Sequence, residues 1–116
     1  MTKKFIEKWL IELKTYWLNK DIDKVISLFN KTTTYQESPF MKPYNSLKEI
    51  TDEWKNIKNI DIKEINLTIL AIDNYTAIIN WHLLQNNEEY DGIYEIKFNE
   101  NLECVYFKSW CEFNDK

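Results

Sequence analysis

The 116-residue chain has no arginine, one glycine, two prolines, one histidine and two cysteines. Each scarcity removes a class of function. All fifteen basic residues are lysines spread along the chain, whereas nucleic-acid recognition rests on a clustered positive stripe and favours arginine as the reader of phosphate and guanine. With a net charge of −4 and a pI near 5.0, nucleic acid is not an expected partner. The lone glycine, Gly92, lies in a strand-like run and suits close packing beside an aromatic ring; the glycine-rich loops of nucleotide sites are missing. One histidine and no Cys-x-x-Cys spacing give no zinc pattern, and no metal or cofactor is expected. No window approaches the ~18 uncharged apolar residues of a bilayer helix, so no membrane partner is expected either. The opening Met1–Trp9 has charges inside its apolar stretch and no small-residue cleavage site, unlike a secretory signal.

What the chain does have is apolar and aromatic surface: 44% of residues are hydrophobic and 16% aromatic. That is enough to form a core, and the length predicts one domain over residues 1–116. Residues 3–18 read as an amphipathic helix, with Phe5, Trp9, Leu13 and Trp17 four apart and Ile6 and Leu10 beside them. Asp21 is an N-cap for a second helix carrying Ile22, Val25, Ile26 and Phe29. Thr32–Gln36 is β-branched and aromatic and reads as a short strand, ended by Pro39 and Pro43. Ser46 and Glu49 form a capping box, opening a helix that buries Leu47, Ile50, Trp54 and Ile57.

From Ile60 onward the period changes to two. Turns at Asp73-Asn74 and Asn86-Asn87, and a connection at Asn99–Asn101, divide the remainder into a four-stranded antiparallel meander. Helices first and sheet second predict an α+β fold with helices on one sheet face. Alternation assigns Leu70, Ala77, Ile79, Trp81, Gly92, Tyr94 and Ile96 to that face. It assigns Ile65, Leu67, Ile69, Ile78 and Ile93 to the other, among Asn80, His82, Asp91 and Glu95. Five such side chains exceed a comfortable exposed patch, so a homodimer through the second face is expected. His82 and Asp91 fall directly opposite each other, as a hydrogen-bonded surface or interface pair or as an oriented base. Within a strand over residues 102–113, Cys104 and Cys111 lie about 23 Å apart on opposite faces, too far for a disulfide. Two reduced thiols fit a cytoplasmic location.

The order of elements, with Tyr16–Asp23 at the helical hairpin, Thr34–Phe40 at the first strand, Ser46–Ile50 leading to Trp54, and Asp91–Phe98 through Lys108–Trp110, resembles the nuclear transport factor 2-like superfamily and its SnoaL-like branch. The resemblance spans about Phe5 to Phe113. It implies a cone, with three N-terminal helices on a curved antiparallel sheet, and a pocket near Trp81 and Tyr94, with Trp9, Trp54 and Phe40 as walls and Ser38 among the ligand-binding residues. The alternative is that these rings simply fill the cone. The scaffold serves isomerases, dehydratases, cyclases and binding proteins alike, so it does not fix an activity. The ketosteroid isomerases of this scaffold use a tyrosine and two aspartates; their positions fall near Leu13, Ser38 and Tyr94 here, and none matches. Glu37, one residue before Ser38, and Tyr94 are the remaining acid–base candidates. Glu37 and Ser38 alternate faces, so both enter the pocket only if the strand bulges. Three classes remain: a binder of a small hydrophobic molecule, a cofactor-free enzyme on a hydrophobic carbonyl compound, and a dimeric interaction module.

Overall fold

In the computed structural model, which describes residues 1–116, the first helix, α1 (Lys3–Leu18), begins where the Thr2 hydroxyl accepts the Phe5 amide at 3.1 Å. Its stripe is buried as the spacing requires: Ile6, Trp9, Leu10, Leu13 and Trp17. Lys20, with φ 54°, turns the chain, and the Asp21 carboxylate accepts the Lys24 amide to open α2 (Ile22–Ser27). After the short strand β1 (Thr34–Gln36), the capping box forms at the head of α3 (Leu47–Trp54). Ser46 Oγ accepts the Glu49 amide, and Glu49 Oε1 accepts from the Asn45 amide and the Ser46 hydroxyl. A 3-10 segment, Lys55–Asn59, extends α3 and buries Ile57. Leu47, expected to be buried, is the first helical residue and stays 41% exposed; the buried stripe starts one turn later at Ile50.

Four long strands follow: β2 (Ile62–Asp73), β3 (Thr76–Gln85), β4 (Glu88–Phe98) and β5 (Cys104–Asn114). The sheet order is β1-β5-β4-β3-β2. The meander is antiparallel as expected, but β1 adds a parallel edge beside β5, with Tyr35 next to Phe107. Asn86 and Asn87 both have positive φ, 50° and 62°, the conformation a two-residue hairpin turn needs. The inner, helix-facing side of the sheet carries Ala77, Ile79, Trp81, Leu83, Tyr94, Ile96 and Phe107, all buried in one core with α1 and α3.

Two bulges overturn expected faces. In β2 the pairing passes from Ile69–Ile79 to Ala71–Ile78, so Leu70 is an extra residue and the side-chain alternation reverses there. Ile65, Leu67 and Ile69 therefore stand opposite Leu83, Trp81 and Ile79 on the inner face. Ile65 is 1% exposed, and Leu70, expected inside, is 56% exposed. Of the five apolar residues assigned to the outer face, Ile78 and Ile93 remain there. In β5 the pairing passes from Phe98–Cys104 to Lys97–Tyr106, which makes Val105 extra. Cys104 and Cys111 consequently share the inner face instead of opposing each other, at opposite ends of the strand, and both are free. No helix is long and apolar enough to cross a membrane.

Candidate functional site

A cavity of about 280 Å³ lies inside the fold, walled by the sheet on one side and by the ends of α1 and α3 on the other. Alternation on β3 brings Trp81 and Leu83 to it; Tyr94 and Tyr90 come from β4, and Ser109 and Cys111 from β5. The last turn of α1 contributes Trp17, and the end of α3 contributes Glu53 and Trp54. Tyr35 and Glu37, two apart, project from β1 and its end on the same side. Its size is just below the ~300–1,000 Å³ typical of ligand pockets, and apolar walls with a few convergent polar groups are their usual make-up. A wider groove of about 510 Å³ runs between α1 and β2. It is open to solvent, and most of its lining is polar, including Lys3, Glu7, Lys14, Asn66 and Thr68.

Ring packing fixes the floor. Trp81 stacks on Tyr94 with centroids 5.3 Å apart, and Tyr94 meets Phe107 at 4.5 Å. Trp17 and Trp54 contact edge to face at 5.2 Å. The indole of Trp81 lies over Gly92: a Cβ there would come within 2.8 Å of the ring and 2.0 Å of the Trp110 carbonyl oxygen. Only glycine permits this packing. The indole N–H groups of Trp17, Trp54 and Trp81 are buried with no hydrogen-bond partner in the protein, a cost of about 1–3 kcal/mol each. These nitrogens are closed to solvent, so an acceptor in the cavity reaches them only when the rings shift.

The polar end is built on Glu37. The Tyr35 hydroxyl donates to Glu37 Oε1 at 2.6 Å, and the Tyr44 hydroxyl donates to Glu53 Oε2 at 3.2 Å. Burial raises the Glu37 pKa; the Tyr35 hydrogen bond works against this and the Glu53 charge adds to it. Burial, followed by the Glu37 charge, pushes the Tyr35 and Tyr94 phenols well above their ordinary value and raises the Cys111 thiol. The site thus holds a carboxyl that keeps its proton to higher pH than an exposed glutamate, beside phenols that stay protonated donors.

Of the residues expected at the pocket, the structure brings Trp54, Trp81, Tyr94 and Glu37 together. Trp9 is in the core between Phe29 and Phe98 instead, because its ring packs edge to face on both. Phe40 is fully exposed in the loop after β1, a loop held by Gln36 Nε2 donating to the Pro39 and Met41 carbonyls. Ser38 does not reach the cavity, since alternation with Tyr35 sends Glu37 there in its place. Trp17, Tyr35 and Glu53 were not singled out from the sequence. The Tyr35–Glu37 spacing carried a signal; the position of Glu53 depended on how α3 docks. His82 and Asp91 are paired in register on the outer face but do not bond. His82 Nε2 meets Glu89 Oε2 at 2.7 Å, and Asn80 Nδ2 donates to Asp91 Oδ1; the longer glutamate reaches the ring diagonally.

No family model and no curated protein matches the sequence. Solved structures do match the fold. A steroid delta-isomerase from Pseudomonas aeruginosa aligns over 93% of this chain and 80% of its own at 15% identity, with a TM-score of 0.70. An NTF-2 like protein of unknown function from Burkholderia xenovorans LB400 covers 98% and 86% at 10% identity and TM-score 0.70. A putative SnoaL-like polyketide cyclase from Shewanella denitrificans OS-217 covers 91% and 89% at 11% and 0.65. The chain has the nuclear transport factor 2-like fold, α+β with a five-stranded curved sheet. At these identities the likeness concerns architecture alone.

Proposed function

We propose that this protein binds a small, mainly hydrophobic molecule in the inner cavity and holds no cofactor there. One observation carries the reading: aromatic rings from both the helices and the sheet surround a cavity of about 280 Å³ that ends in a carboxyl–phenol pair. A core built only for stability gains nothing from a buried carboxylate at such a place. Calorimetric titration with 4-tert-butylacetophenone, an aromatic ketone of suitable size, tests it. Saturable 1:1 binding that is lost in Trp81→Ala supports the proposal; no binding of this ketone or of its trimethylammonium counterpart to the folded protein overturns it.

A second reading, a cofactor-free enzyme acting on a hydrophobic carbonyl compound, is favoured by the raised pKa of Glu37. Glu37 would move the proton and Tyr94 or Tyr35 would donate to the developing oxyanion. Turnover abolished by Glu37→Gln distinguishes it from binding alone. Both readings take the chain as one domain with its three helices closing the cone, working in the cytoplasm, for which two unpaired thiols are the support. Pairing of two copies through the outer face belongs to the same proposal, now supported by Ile78, Ile93 and the 37%-exposed Trp110.

A further inference from the structure

The cavity is charged with one sign only. Its carboxyl groups are Glu37 and Glu53, and no lysine or histidine lines it. Neither glutamate is in an ion pair, each being held by a single tyrosine hydroxyl, Tyr35 or Tyr44. They are near enough for the charge of Glu53 to oppose ionisation of Glu37. An anionic occupant would add a third like charge, and a neutral one would leave the repulsion in place. Six of the lining residues are aromatic, Trp17, Trp54 and Trp81 among them, beside aliphatic Ile57, Ile60 and Leu83. Aromatic rings attract cations through their quadrupole, tryptophan most strongly, and more so when water is excluded. Resting on the binding reading above, we infer that the occupant is an organic cation, a small ammonium compound whose positive end lies toward Glu37 and Glu53 and whose apolar body lies against the tryptophans.

The test compares two probes of one shape, 4-acetyl-N,N,N-trimethylanilinium and its neutral isostere 4-tert-butylacetophenone, titrated calorimetrically into the intact protein. The cation is expected to bind at least about tenfold more tightly. That preference should shrink in Glu37→Gln and in Glu53→Gln. It should persist in Glu100→Gln, a change on the exposed connection between β4 and β5 that alters net charge equally. If Glu37→Gln fails to fold, by circular dichroism, Glu53→Gln at the end of α3 decides alone. Neutral binding as tight as the cation's overturns the charge inference and leaves the binding reading intact. A preference unchanged in the glutamine variants also overturns it, and failure of both probes to bind overturns both readings.

Discussion

Glu37 is the residue on which the site turns, and its chemistry was half legible in the sequence. Alternation sets Glu37 against Ser38, so that one of them faces the cavity, and the proline after Ser38 marks where β1 ends. What alternation could not show was the depth of the site, which comes from three elements distant in sequence closing over it. The depth has a measurable consequence. An unfolded glutamate titrates near 4.5, and burial raises the native value above that. The folded state therefore binds this proton more tightly, and the contribution is complete below about pH 4.5 and is lost as pH rises through the native pKa. Glu37→Gln removes that loss, since an amide oxygen still accepts from Tyr35. The melting temperature of Glu37→Gln minus that of the natural chain should grow as pH rises above about 4.5 and level off past the native pKa. A constant or shrinking gap would show that the carboxyl is not buried as described.

At the scale of elements, most of the layout follows from local rules, and the faces that differ from expectation do so at bulges. Helix starts at Asp21 and Ser46 were readable from capping chemistry, the first helix from its apolar stripe, and the Asn86-Asn87 turn from the left-handed preference of asparagine. The faces of β2 were misassigned because a bulge leaves no mark in period-two patterning: Ile65, Leu67 and Ile69 alternate with polar residues on either face. Tertiary packing under α1 decided the matter. Ile65→Ala should consequently cost about 2–5 kcal/mol in denaturant unfolding, as for any fully buried large aliphatic side chain, and Leu70→Ala should change stability by less than about 0.5 kcal/mol. The reverse order would restore the unbulged register.

For the whole molecule, fold and function separate. The order of elements pointed to the cone, yet the same cone accommodates proteins of different activities, and only the lining of this cavity distinguishes the chain. The outer face, reduced to Ile78, Ile93 and Trp110, bears on assembly: sedimentation at micromolar concentration should return a dimer that Ile93→Lys dissociates, because the change buries an unpaired charge at a two-fold contact. A strict monomer removes the pairing proposal and leaves the cavity unaffected. The cavity itself is tested most directly by nuclear magnetic resonance of the five indole N–H groups during titration with 4-acetyl-N,N,N-trimethylanilinium. Trp17, Trp54 and Trp81 line the cavity, Trp9 is packed between Phe29 and Phe98, and Trp110 is on the opposite face. Saturable shifts of the first three signals with the other two unmoved are the predicted result; shifts confined to Trp9 or Trp110, or none at all, would contradict a ligand site inside the cone.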